Sequence, residues 1–213
     1  MDSDKLLTTT RSVRKRLDFD RPVERQVLEE CLEIALQAPT GSNMQGWRFL
    51  IVTDDEPKKK ISELYAKAFQ VYAAEQTKNP APFDASDPRA QQRAGVVDSA
   101  VFLAQNMHRA PALIIPCCEG QVEGTPLWIQ AAVWGSILPA TWSLMLALRS
   151  RGLGSAYTTL HLMHAAEADA ILGVPKGFFQ AALLPVAYYT GVDFKPAKRL
   201  PAAQLTYWNH WGS

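Results

Sequence analysis

Three short segments concentrate side chains that could do chemistry. The first, Arg11-Ser12-Val13-Arg14-Lys15-Arg16, sets four cations and a hydroxyl within six residues. Guanidinium forks and a serine O–H match the oxygens of a terminal phosphate monoester, although a run of this kind is more often a solvated face. The second is the loop Ala38-Pro-Thr-Gly-Ser-Asn-Met-Gln-Gly-Trp47, with Thr40, Ser42, Asn43 and Gln45 inside six positions. Carboxamides donate and accept, so two of them can pair with a ring edge that alternates C=O and N–H; by composition alone the loop is also an ordinary turn. The third is the tail Phe194–Pro201, where Lys195, Lys198 and Arg199 cluster.

Other chemistries find no motif. Gly152-Leu-Gly154 begins like a dinucleotide fingerprint, but Tyr157 stands at the third glycine position and the preceding element reads as helix. There is no phosphate-binding G-x-x-x-x-G-K-[ST] loop and no G-x-S-x-G elbow, and the histidines His108, His161, His164 and His210 form no H-E-x-x-H pattern. His161, His164 and Glu167 fall at three-residue steps at the start of a helix, which reads as capping or a local polar cluster, so no metal site is assigned. No side chain is assigned as catalytic acid or base.

The elements that must position these groups follow from composition and periodicity. The chain has 213 residues, 47% hydrophobic, with 22 basic against 21 acidic side chains and a net charge of +1. That predicts one folded domain over residues 1–213 and argues against non-specific nucleic-acid binding, which needs a broad cationic excess. Three cysteines, two of them adjacent at Cys117 and Cys118, fit no disulfide framework, and the N-terminus lacks the apolar core of a signal peptide. A cytoplasmic protein with buried thiols is expected.

Val27, Leu28, Cys31, Leu32 and Ala35 mark an amphipathic helix. Strands are expected at 47–53 and 111–117, near 154–157, and as one long strand within 178–190. Helices are expected over 58–78, 89–108 and about 164–172. The proline-rich stretch 79–88 reads as a surface excursion and a candidate lid. Residues 125–148 carry no charge and are long enough to span a bilayer. Their scattered polar residues, and tryptophans spread along the segment, favour a wholly buried helix at the centre of a homodimer instead of a membrane span.

Taken in order, four stretches resemble the FMN-dependent nitroreductase family: Arg11-Ser-Val-Arg14, Ala38–Phe49, Gly152-Leu-Gly-Ser-Ala-Tyr-Thr-Thr159 and Lys198-Arg-Leu-Pro201. The resemblance implies an α+β fold with a central mixed or antiparallel sheet flanked by helices, an intertwined homodimer and FMN at the subunit interface. It implies NADH or NADPH as electron donor and nitroaromatics, quinones or related small aromatic acceptors. By position, Arg11, Ser12 and Arg14, helped by Lys198 and Arg199, hold the phosphate and ribityl chain. Pro39, Thr40, Ser42, Asn43 and Gln45 bind the cofactor from the partner subunit, and Thr159, Leu160 and His161 pass the flavin N5 edge. Lys15 or a neighbouring cation is expected near N1 and O2, while Tyr65, Phe69 and Tyr72 are candidates for the acceptor pocket. Two departures stand out: Thr10 where many members have Arg, and Gly46 where the family usually has Pro. Same-fold enzymes that dehalogenate aromatics or cleave reduced flavin, and a non-catalytic FMN-binding protein, are the alternatives.

Overall fold

The strand Ala112–Glu119 (β2) shows why this chain layers as it does. Seven consecutive residues of it, Ala112 to Cys118, are buried. Alternate side chains of a strand point to opposite faces, and here Leu113, Ile115 and Cys117 enter one core while Ala112 and Ile114 enter another. An antiparallel strand buried on both faces needs helices above and below it. Each fully buried isoleucine contributes roughly 1.5–3 kcal/mol.

The fold was obtained as a computed structural model that describes residues 2–79, 82–84 and 86–212. Three residues of the expected 79–88 excursion, Pro80, Ala81 and Ala85, lie outside the described residues. Besides β2, the strands are β1 (Trp47–Val52), β3 (Leu153–Ser155), β4 (Phe178–Gln180) and β5 (Leu184–Tyr188). The sheet order is β1-β2-β5-β3, β4 also pairs with β2, and every pairing between strands is antiparallel. The helices are α1 (Ser3–Thr9), α2 (Arg25–Ala35), α3 (Asp55–Lys78), α4 (Pro88–Asn106), α5 (Leu127–Ser150) and α6 (Ala165–Leu172). This is the expected α+β arrangement, with an antiparallel sheet flanked by helices.

One long strand expected within 178–190 is two. Pro116 of β2 has no N–H to give the ladder, and between β4 and β5 the register against β2 shifts by one residue. The extra residue forms a bulge-like break. There Ala181 N–H still reaches the Pro116 carbonyl at 2.8 Å, whereas Leu183 turns to exchange backbone hydrogen bonds with Thr158.

Helix α2 buries Leu28, Cys31 and Ala35, the apolar stripe read from the sequence. It lies along α5, whose buried positions Ile137, Ala140, Thr141, Leu144, Met145 and Leu148 follow helical spacing. Gly152, at φ +79, turns the chain out of α5 into β3, a backbone state that glycine adopts without strain. Helix α5 is long and apolar enough to cross a membrane by length and composition. In the single chain its other face is open: Leu127, Trp128, Leu138 and Trp142 are exposed, so the burial expected of this helix would need a second copy. All three cysteines are free and buried, and burial raises the Cys31 thiol to about 11 and the Cys117 thiol to about 12.

Candidate functional site

The basic segment is pinned to the edge of the sheet. Ser12 forms a parallel bridge with Ser155, and Val13 N–H donates to the Ser155 carbonyl at 2.8 Å. Gly154 permits this approach, because a Cβ there would lie 2.9 Å from the Val13 Cβ. Val13 and Leu17, four residues apart, are buried as anchors, and Leu17 bridges Tyr189. The intervening cations then diverge. Lys15 pairs with Asp98. Arg16 donates to the Thr190 carbonyl at 2.7 Å and to the Val192 carbonyl, and lies 4.0 Å from the Phe194 ring centre. Arg11 donates to the Lys195 carbonyl at 3.3 Å, so the two basic ends of the chain do meet.

Arg14 alone of these cations turns inward. Among the described residues it has no carboxylate partner; its one polar contact is Ser99 Oγ at 3.5 Å, the outer limit of a hydrogen bond. Burial lowers its guanidinium pKa, with Tyr65 a lesser influence in the other direction. A desolvated cation without an anion is an unfinished interaction.

It lies in the wall of a cleft of about 910 Å³. Tyr157, Thr158, Thr159 and Leu160 form one side of this cleft, and Tyr65, Phe69 and Tyr72 of α3 form another. Arg89, Arg93 and Val96 of α4 complete it. The strap is rigid at Thr158, whose hydroxyl donates to the Leu183 carbonyl at 2.6 Å beside the two backbone bonds already described. Burial raises the phenol pKa of both Tyr65 and Tyr157. The three aromatic residues of α3 named from the sequence as candidates for an acceptor pocket line this cleft. Arg89, Arg93 and Thr158 were not read as site residues; the four-residue step between the two arginines puts them on one helix face, and that was the available signal.

His161 does not line this cleft. Its side chain is fully buried and neither ring nitrogen has a hydrogen-bond partner among the described residues. Burial drives its pKa down to about 4, the nearby Gln180 carboxamide opposing the shift. Gln180 in turn donates to Asp169 Oδ1 at 2.7 Å. His164 pairs instead with Glu167 at 3.4 Å, so the three-residue pattern seen in the sequence splits between core and surface.

The amide loop lies elsewhere. Gly41 N–H donates to Ser136 Oγ at 3.0 Å, fixing the loop on α5. Within it, Gln45 N–H donates to Thr40 Oγ1 at 3.2 Å and Gln45 Nε2 to Asn43 Oδ1 at 3.1 Å. Ser42, Asn43 and Gln45 all have positive φ, near 50°, the left-handed region that costs non-glycine residues energy. Pro39 faces an apolar groove beside α5. The cleft that Arg14 lines does not include this loop. Lys198 and Arg199 line a smaller pocket of about 350 Å³ against α4, which meets the main cleft at Arg89 and Val96.

The family model described as "Nitroreductase family" matches residues 7–188, from α1 through β5. The chain belongs to the nitroreductase family. Among nitroreductase-family relatives, an Archaeoglobus fulgidus protein with the provisional name NADH dehydrogenase/NAD(P)H nitroreductase is 24% identical over 190 residues, 86% of this chain and 83% of its own. The FMN and NADPH-dependent nitroreductase NfnB of sphigopyxis sp. strain HMH, solved in a mutant form, superposes with a TM-score of 0.70 at 25% identity, covering 99% of this chain and all (100%) of its own. A BluB-like flavoprotein of Clostridium difficile 630 shares the fold at TM-score 0.72 and 20% identity, over 99% of this chain and 100% of its own.

Proposed function

We propose that this nitroreductase-family protein is an FMN-dependent oxidoreductase that carries electrons from NADH or NADPH to a small nitroaromatic or quinone-like acceptor, and that it works as a homodimer. The observation that carries the reading is Arg14: a partly buried guanidinium, without a carboxylate partner among the described residues, in the wall of a large aromatic cleft. A cofactor that brings negative charge and a flat ring completes it. The cleft volume falls in the range typical of cofactor and ligand pockets.

FMN, when bound, would supply the two-electron redox chemistry between nicotinamide and acceptor. The chain's own groups do the rest. Arg11 and Ser12, fixed at the sheet edge, supply donors for a phosphate, and Arg199 approaches from the tail. Arg14 supplies the fixed positive charge that the sequence left open between Lys15 and a neighbour; Lys15 is already engaged by Asp98. The strap Thr158–Leu160 offers a rigid edge, and the tyrosines and Phe69 of α3 exclude water and give stacking faces. The amide loop on α5 reads a ring edge only when a second copy brings its loop to this cleft. The exposed apolar face of α5 is the surface along which that copy packs.

Purification decides the matter. The protein is expected to be yellow, to bleach on adding NADH or NADPH, and to recover its colour with a nitroaromatic. A colourless protein that takes up no FMN overturns the proposal. Likeness to the BluB-like flavoprotein is one of fold, so it favours no flavin-cleaving activity here; product analysis under oxygen separates that chemistry from reduction.

A further inference from the structure

Resting on the flavin reading, we propose that the acceptor is an aromatic anion, its ring held among the tyrosines of α3 and its carboxylate or similar group by Arg93, with Arg89 beside it. The two arginines are one helical turn apart on α4 and line the same cleft as Tyr72 of α3. No carboxylate lines this cavity, whereas three guanidinium groups do: Arg14, Arg89 and Arg93. Arg14 is taken by the cofactor in the reading above. Arg89 is partly neutralised, since Asp87 accepts from its Nε and Nη2 at 3.0 and 2.6 Å, and its guanidinium lies 4.1 Å from the Phe83 ring centre.

Arg93 has no such anion. Among the described residues its hydrogen bond runs from Nη2 to the Gln76 carbonyl at 3.2 Å, in the last turn of α3, and no carboxylate pairs with it. That contact holds one arm of the fork and orients the group, leaving other N–H donors for a ligand. A half-buried guanidinium held in place by a carbonyl, next to stacked aromatic faces, selects a planar ring bearing a negative group over an equally planar neutral one.

The test compares 4-nitrobenzoate with methyl 4-nitrobenzoate as acceptors for the purified holoprotein at fixed ionic strength. The ester makes the nitro group intrinsically easier to reduce, so a preference for the acid reports binding and not reactivity. The expected kcat/KM ratio, acid over ester, is at least about tenfold; Arg93→Gln brings it close to one, and Arg93→Lys, which keeps the charge but loses the fork, retains only part of it. Benzoate, which carries no reducible group, is expected to bind the holoprotein about tenfold more tightly than methyl benzoate by calorimetry, with the same dependence on Arg93. A ratio near one in the unaltered protein, or one that Arg93→Gln leaves unmoved, overturns the proposal. So does an Arg93→Gln variant whose change appears in the KM for NADPH and not in that for nitrobenzoate, which assigns the arginine to the donor's phosphate. A yellow protein that fails these tests sinks the anionic acceptor alone; a colourless one sinks the flavin reading with it.

Discussion

The two halves of the candidate site are built in opposite ways. The Arg14 cleft is finished by one chain: its strap is tied to β5's approach at Leu183, its cation segment to Ser155, and its aromatic wall belongs to α3. The amide loop is tied down at Ser136 and through Gly46 to Glu119, while residues 41–45 are exposed, three of them non-glycine residues in the left-handed region whose carboxamides, Asn43 and Gln45, hold each other. A strained, exposed loop of this kind fits a role beyond its own chain in the proposed dimer. On the proposed dimer, fold and function have different units: one chain suffices for the sheet and the cleft, and a second copy is needed to close the site.

The contrast breaks most sharply on α5. Leu138, exposed in the single chain, is expected on the proposed dimer face, where an unpaired carboxylate costs several kcal/mol. Leu138→Asp should give a folded monomer that has lost FMN affinity by more than about 100-fold; sedimentation and flavin titration read both, and a monomer that keeps its flavin removes the second copy from the site. On the one-chain side, His161 sets an acid limit. Its folded pKa of about 4 lies below the ordinary 6.5, so the unfolded chain takes the proton first. The stability it contributes is full above about pH 6.5 and is lost as pH falls through 4, about 3 kcal/mol in all. Denaturant melts at pH 4 and pH 7 should show this slope flattened in His161→Phe; an identical slope in both proteins refutes it.

Smaller effects separate binding from folding. Arg14→Ala should cost about 1.5–3 kcal/mol of FMN affinity, the range for hydrogen bonds to charged groups, while the flavin-free protein loses no stability because a desolvated, unpaired cation has been removed. A drop in melting temperature without a change in flavin affinity would make Arg14 structural. Asn43→Gly, which keeps the positive φ without strain, should weaken FMN by about 1 kcal/mol and shift stability by less than about 0.5 kcal/mol, since its loop is exposed. Flavin titration and thermal melts of the two loop states decide whether the strained amides serve the cofactor or only themselves.

Local pattern made much of this readable. Strand β1 and helix α2 follow from a short β-branched and aromatic run and from three- and four-residue steps, and both stand within a few residues of where the sequence put them. The aromatic residues of α3 and the meeting of the two basic ends were likewise visible. What escaped depends on distant parts of the chain. The split between β4 and β5 is imposed by Pro116 on a different strand. Which of Arg14 and Lys15 faces the cleft depends on Asp98, more than eighty residues away. His161 belongs to the right segment, but which way its side chain turns is decided by the core beneath it, and sequence spacing carries no such information.

The bridges from Ser12 to Ser155 and from Leu17 to Tyr189 have a consequence in time. The cations of residues 11–16 have no place to dock until the last strand of the sheet has been made. Helices α2 to α4 can form as the chain emerges, but the cleft closes only when the sheet edge reaches back to this segment, a contact of long sequence separation. Until then the nascent protein carries the segment loose, so on the proposed function a cofactor is captured only after β5 has been made.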